Sequence, residues 1–349
     1  MNDIGNNLRR IRLLRNLSLR EVSEKLNISA TAVNKYEKGI IIPDSKRIIE
    51  FADIYNVKTI QILKAYENPN MKFTFFRKSR NLSGKKLELL ESIISDNVSK
   101  YLEVIEMNNI NNNFNKVKEY SCVNLEDAEK AADDFRDYIG ISKRQPLSDL
   151  TNILENLGIV IINIDDDAGN FNEFDGLSEI VNNIPFIVLL NNTKDGARQR
   201  FTIAHELGHL VLKFKNNKLD EERLCNRFAS SLLMPKEAVF NEIGTTRSSV
   251  SIFELKAFKE EYKVSYSATI YRLKELNIIS EYLYKNLNAY LRKNINKDDF
   301  VSIPSEVSNL FKRLVYKLES NDIISTTKAC ELLGVTTYEF KREDNYNWY

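Results

Sequence analysis

The chain has 349 residues, 43% hydrophobic and 28% charged, with a net charge of +1. That length predicts two or three domains, and that composition supports packed cores and excludes wholesale disorder. No run of 18 apolar residues occurs (the longest, IPFIVLL at 184–190, is strand-sized), so no membrane-spanning helix is expected.

The N-terminus lacks an apolar h-region and a small-residue cleavage site, so no signal peptide is expected. Three scattered cysteines, Cys122, Cys225 and Cys330, form no metal-type pair and point to a reducing cytoplasm. The near-zero net charge conceals an asymmetry. Residues 1–80 carry 16 Lys and Arg against 8 Asp and Glu, and the rest carry 34 against 41. A basic end on an acidic body suggests a polyanion-binding module. Only two histidines exist, His205 and His209.

Residues 4–66 read as short helices with tight turns. The first spans about 4–15, with Leu8, Ile11 and Leu14 on one face. Ser18 followed by Glu21 is a capping box opening a helix at 19–26. Ser29 caps a third at 30–38, which Gly39 ends. Pro43-Asp44-Ser45 opens a fourth at 46–55, and 56–63 forms a last short one.

The next segment, 68–120, reads as a connector. It holds a basic aromatic stretch, FTFFRKSR (73–80), then a long helix at 83–107 and a polar run, NNINNNFN (108–115). The helix seam is Leu87, Leu90, Ile94, Val98, Leu102 and Ile105. Residues 121–285 form the main body. Helices at 125–139 and 147–157 precede a strand, IVIINI (159–164), and a turn, DDDAGN. FNEFDGLSEIV and IPFIVLLN are candidate strands, with Pro185 marking an edge or a strand start. Only helices are expected after that, at 195–212, 220–233, 251–262 and 266–276. Residues 286–349 read as helical, with STTKACELLGV (325–335) a helix ending in Gly.

The string LRRIRLLRNLSLREVSEKLNISATAVNKYEKGIIIP resembles the Xre/lambda-repressor type of helix-turn-helix, over about 4–66. Val22 and Leu26 would pack on Val33 and Tyr36, and Glu37-x-Gly39 matches the family's closing motif. The resemblance implies that the third helix enters the major groove. The exposed positions there are Ser29, Ala30, Thr31, Asn34 and Lys35; Asn34 suits adenine and Thr31 a thymine methyl or a phosphate. Arg20 takes a usual polar contact position, and Lys38, Arg12 and Lys46 are backbone-contact candidates. The alternative is a protein-docking helical domain with a solvated basic surface. Base-reading capacity is modest, so specificity calls for a homodimer.

Residues 201–213 read FTIAHELGHLVLK. H-E-x-x-H on a helix puts His205 and His209 one turn apart on one face, able to share one zinc ion. Glu206 can then reach water at the metal without being a ligand. Asn191–Thr193 offers an N-cap; Phe201, Ala204, Gly208 and Val211 form an apolar seam, with Gly208 permitting close packing. A catalytic zinc takes three protein ligands. The third must be a carboxylate or Cys225, and Asp220, Glu221 and Glu222 are the nearby acids.

The string EERLCNRFASSLLMP (221–235) resembles the ImmA/IrrE family of zinc metallopeptidases. In that family H-E-x-x-H is followed by E-x-x-A-N-x-F-A-x-x-L-L-M-P. The resemblance implies Glu222 as third ligand and Asn226 orienting His205; Cys225 stands where the family has Ala. It covers about 125–280 and implies one Zn²⁺ per chain, with Glu206 as general base. A further donor to the oxyanion is expected, and Tyr262, Tyr266 and Arg272 are the candidates. Either candidate strand could hold an extended peptide at a sheet edge.

The fold class expected is multidomain and mainly α. An all-α helix-turn-helix domain (1–67) is followed by a helical connector (68–120). An α+β zincin-like metallopeptidase domain with a small sheet (121–285) comes next, then a small helical region (286–349). The function expected is a cytoplasmic, DNA-binding zinc metalloendopeptidase. Its partners would be double-stranded DNA and a protein substrate of the Xre-type repressor class, cut in a stress or mobile-element response. The alternative is a non-proteolytic DNA-binding repressor or antitoxin whose metal site is structural or sensory; an intact Glu206 argues against it.

Overall fold

The computed structural model describes residues 3–64, 71, 84–110, 117–165, 171, 174–190, 195–215, 220–294 and 302–344. The stretch FTFFRKSR, most of DDDAGN and of NNINNNFN, and Asn191–Thr193 lie outside them. The chain divides into two compact units, Met1–Met107 with Asp165–Phe174, and Asn108–Ile164 with Asp175–Tyr349. The segment 68–120 therefore falls into both. No helix among the described residues is long and apolar enough to cross a membrane.

The first unit opens with five short helices: α1 (Asp3–Leu14), α2 (Leu19–Leu26), α3 (Ala30–Glu37), α4 (Ser45–Tyr55) and α5 (Thr59–Leu63). Leu8, Ile11, Val22, Leu26, Val33, Ile48, Phe51 and Tyr55 make their core. The turns follow from local chemistry. Ser18 and Glu21 form a reciprocal capping box at α2. Asn27, at φ 54°, ends α2 in the left-handed region that Asn tolerates, and Ser29 caps α3 through the Ala32 N–H. Gly39 takes φ 65° after α3. The long helix α6 (Gly84–Met107) packs on α1, with Arg10 paired to Asp96 and Arg9 Nη2 3.3 Å from Glu88. Its buried stripe is Leu89, Leu90, Ile94, Val98, Tyr101, Val104 and Ile105. Leu87 and Leu102, expected in the seam, are half-buried at its margin.

The second unit holds two small sheets. β1 (Tyr120–Cys122) pairs in parallel with β5 (Leu212–Phe214). The other sheet has the order β2 (Val160–Ile164), β4 (Ile184–Leu190), β3 (Gly176–Val181); β2 is parallel and β3 antiparallel to the central β4. Asn182 and Asn183, both at positive φ, make the two-residue turn between β3 and β4. Pro185 is the second residue of β4, so it marks a strand start; β4 is the central strand, flanked by β2 and β3, so IPFIVLLN offers no free edge to an added peptide.

Helices α7 (Leu125–Tyr138), α8 (Leu150–Asn156), α9 (Gly196–Val211) and α10 (Glu221–Leu233) surround these sheets. Phe135, Ile203, Ala204, Leu207, Phe228 and Leu232 belong to one core. α11 (Lys236–Glu242), α12 (Ile252–Tyr262), α13 (Tyr266–Glu275) and α14 (Glu281–Asn294) follow. The expectation of only helices after residue 195 is corrected by β5: Leu212–Phe214 continues from α9 as a strand, because β1 offers it an open edge. α14 crosses the expected boundary at 285/286 and buries Leu287 in the main core. Last come α15 (Leu310–Ser320), α16 (Thr326–Leu333) and α17 (Thr337–Asp344).

Candidate metal centre and nucleic-acid interface

α9 begins at Gly196, and Asp195 caps it by accepting from the Ala197 N–H. The cap is therefore Asp195, not a residue of 191–193. The helix start is anchored from far along the chain. The Gly196 N–H donates to the Ile303 carbonyl at 2.9 Å. Gln199 and the Glu306 backbone exchange two hydrogen bonds, and the buried Arg200 pairs with the Glu306 carboxylate.

Two turns on, His205 Nε2 and His209 Nε2 lie 3.2 Å apart. Their partner is α10, which approaches α9 at Gly208. A Cβ there would stand 3.3 Å from Cys225 Cα, Cβ and Sγ, so a larger residue would push the helices apart. Glu222, one turn before Cys225, places its carboxylate 3.2 Å from His205 Nε2 and 3.6 Å from His209 Nε2. His205, His209 and Glu222 are the one trio of potential metal ligands among the described residues.

The donor set fits a small divalent cation. Zinc bonds of ~2.0–2.1 Å at tetrahedral angles put neighbouring ligand atoms roughly 3.3–3.4 Å apart, close to the 3.2 Å between the two Nε2 atoms and to the approach of one Glu222 oxygen to each ring, Oε2 to His205 and Oε1 to His209. Two ring nitrogens and a carboxylate facing one another form a set that a shared cation satisfies. Asn226 Oδ1 sits 3.0 Å from His205 Nδ1. An amide oxygen only accepts, so this contact assigns the proton to Nδ1 and leaves the Nε2 lone pair for the metal. Asp220 instead caps α10 through the Arg223 N–H, and Cys225 is fully buried with its thiol pushed far up by burial, which disfavours a thiolate ligand.

Glu206 is buried at 8% exposure, and Ser178 Oγ on β3 donates to its Oε2 at 2.8 Å. Burial pushes the Glu206 carboxyl above its ordinary value, while the two histidines and Ser178 pull it back. Glu222 is held far below the carboxylate range by hydrogen bonds from His205 and His209, against the effect of burial. Burial pushes His205 down, but Glu222, Glu206 and Asn226 outweigh it and hold the ring above its ordinary value.

Two of the three expected oxyanion donors have their polar groups engaged elsewhere. Tyr262 is 1% exposed, stacks on Phe258 and donates to the Arg144 carbonyl; burial raises its phenol to about 12. Arg272 is fully buried and donates to the Met234 carbonyl and to Glu129. The ring of the buried Tyr266 lies under Lys259 Nζ at 4.9 Å. Tyr262 and Arg272 brace the scaffold around α10 to α13. Ser178 escaped sequence reasoning because a lone Ser in a short strand carries no motif.

In the first unit, Ser29, Thr31, Lys35 and Lys38 are exposed and Asn34 and Ala30 half-exposed along α3. Arg20 is exposed and pairs with Glu24 at 3.0 Å. Lys46 is exposed at the start of α4. Arg12 is corrected: it is buried, and its guanidinium bonds both oxygens of the buried Glu37 at 2.6 and 2.9 Å and donates to the Leu17 carbonyl. That fork ties α1 to the end of α3 and leaves no reach to a phosphate. It also explains the Glu of the closing Glu-x-Gly.

Comparison with known proteins covers both parts. Residues 8–62 match the family described as "Helix-turn-helix", and residues 154–274 match "IrrE N-terminal-like domain". The chain is 29% identical over 106 residues to the "Radiation response metalloprotease IrrE" of Deinococcus radiodurans, covering 26% of this chain and 31% of the relative. It is 30% identical over 103 residues to the protein of the same name from Deinococcus deserti, covering 26% of this chain and 36% of that one. The matched segments thus span about a third of the length of these relatives.

Proposed function

On a chain that joins a helix-turn-helix DNA-binding domain to an IrrE-like metallopeptidase domain, we propose a zinc endopeptidase that controls transcription by cutting an Xre-type repressor at one site. Residues 1–67 hold DNA through Arg20, Ser29, Thr31, Asn34, Lys35 and Lys38. Residues 121–285 carry the peptidase, and the reaction takes place in the cytoplasm, where DNA is within reach. The relatives' names refer to a radiation response; a stress response is our reading for this chain.

The observation that carries the proposal is the pairing of a three-ligand set with a carboxylate that stays out of it. His205, His209 and Glu222 would hold the ion, one per chain. Zinc bound there supplies Lewis acidity, activating water near neutral pH and polarising the scissile carbonyl. A purely structural site has no use for a buried Glu206 held beside it by Ser178. Ser178 engages Oε2, so Oε1 takes the proton from water and later gives it to the leaving amine. β3, at the sheet edge, carries Ser178 and packs against α9. An extended substrate segment added to that edge would run beside the metal.

The test pairs metal analysis with cleavage. Wild-type and Glu206→Gln protein are assayed for zinc, then incubated with Xre-type repressors encoded near the same gene. Equal zinc with cleavage by wild type alone supports the reading. Equal zinc, no cleavage by either and a metal-dependent DNA affinity would make the site a sensor instead.

A further inference from the structure

Residues 325–344 repeat the geometry of the first helix-turn-helix. In both places two eight-residue helices flank a three-residue turn. Ser18 caps α2 through the Glu21 N–H at 3.1 Å, and Ser325 caps α16 through the Lys328 N–H at 3.2 Å. Asn27 leaves α2 at φ 54°, and Gly334 leaves α16 at φ 68°. The Ile28 N–H bonds the Ser23 carbonyl at 3.0 Å, and the Val335 N–H bonds the Cys330 carbonyl at 3.1 Å. Ser29 then caps α3 through the Ala32 N–H at 3.1 Å, as Thr336 caps α17 through the Glu339 N–H at 3.2 Å. Burial follows the same register: Val22 and Val33 are buried in the first motif, Ala329 and Phe340 in the second. α15 supplies the supporting helix, with Leu314, Val315 and Leu318 buried and Tyr316 stacked on Phe340.

The helix equivalent to α3 is α17. In the shared register, Thr31, Asn34 and Lys35 correspond to Tyr338, Lys341 and Arg342, all three exposed. Three of the nearby acids are engaged locally: Glu319 accepts from Thr326, Glu331 lies 3.6 Å from Lys328, and Glu339 accepts from the Thr336 N–H and hydroxyl, while Glu343 and Asp344 follow Arg342 directly in α17. A capped helix presenting an aromatic and two cations at these positions is suited to a phosphate-lined groove. We propose that residues 325–344 are a second DNA-contacting helix-turn-helix, with Tyr338, Lys341 and Arg342 at the contact. This rests on the DNA-binding reading of the first motif. The segment around α15 to α17 has no surplus of basic residues, so the second contact is weak alone. It acts because the first motif already holds the chain on the same duplex. The Glu306–Arg200 and Ile303–Gly196 contacts, just before α15, tie this module to the start of the metal helix.

The experiment measures binding of the full chain to a mixed-sequence duplex of about 40 base pairs by fluorescence anisotropy, across a salt series. Each phosphate contact contributes about 0.9 to the salt slope. The Lys341→Ala/Arg342→Ala variant should bind about ten-fold more weakly, with a salt slope shallower by about 2 if both cations meet phosphates. Asn34→Ala/Lys35→Ala, in the first motif, is the control. Loss with the first-motif variant alone, at unchanged affinity and slope for the second, overturns this inference and leaves the first DNA site standing. No binding by wild type overturns both.

Discussion

Ser178 Oγ on the edge strand β3 donates a 2.8 Å hydrogen bond to Glu206 Oε2 on the metal helix, and both residues are more than nine-tenths buried. The sheet thereby fixes the rotamer of the proposed base. Ser178→Ala removes the donor and leaves a buried carboxylate oxygen without it, a change worth about 1–3 kcal/mol. We expect kcat to fall roughly ten- to hundred-fold, with metal content unchanged. Ser178→Thr, if the hydroxyl keeps its position, should restore part of the rate.

Metal affinity should fall as pH falls. His205 is held above its ordinary value, so its nitrogen stays protonated to a higher pH than a free imidazole, and the proton competes with the ion. Glu222 is held low and stays ionised across this range. The sign reverses for metal-free stability. The raised His205 contributes stability that is lost as pH rises through its folded value, and the depressed Glu222 contributes stability that is lost as pH falls through its own. Chelator competition and thermal melts of metal-free protein between pH 5 and 9 check both slopes.

Glu37→Ala should destabilise the first unit by about 3–5 kcal/mol, because Arg12 would be left buried without its carboxylate. Glu37→Gln, keeping one acceptor, should cost less. Chemical denaturation followed through the first unit's helical signal gives the comparison. A cost below 1 kcal/mol for Glu37→Ala would show that Arg12 escapes to water.

Gly196→Ala should loosen the attachment of residues 302–308. A Cβ at Gly196 would overlap the Pro304 carbonyl, and that neighbour is backbone. The expected cost is about 1–3 kcal/mol, typical of overpacking. Hydrogen exchange should rise at Ile303–Glu306 and at the first turn of α9. No change in exchange there would mean that the strap does not brace the metal helix.

Much of this site was legible in the sequence, for identifiable reasons. HELGH combines a helical repeat with the chain's only histidines, and EERLCNRFASSLLMP places an acid one turn before the residue that meets Gly208. Ser18, Ser29 and Gly39 encode caps and turns locally, so the first four helices could be read nearly to the residue, whereas α5 starts three residues later than expected. What could not be read depends on distant neighbours. Three-residue strands such as β1 and β5 exist only because each offers the other an edge. Arg12 looks like a phosphate contact until Glu37, on another helix, is seen to hold it. Tyr262 and Arg272 carry the right chemistry for an oxyanion donor, but packing commits them elsewhere. The repeat of the helix-turn-helix geometry at 325–344 was hidden because the two motifs share geometry and burial register far more than residue identity.

Cleavage through Glu206 is tested most directly by a mass-spectrometric comparison of protein N-termini in cells expressing the wild-type chain or Glu206→Gln at equal level, with zinc present. It requires no prior choice of substrate. At least one internal N-terminus, in a helix-turn-helix repressor, should form with wild type and be absent with Glu206→Gln. Identical sets of N-termini from the two, with both proteins carrying zinc, would contradict a peptidase that uses Glu206 as its base.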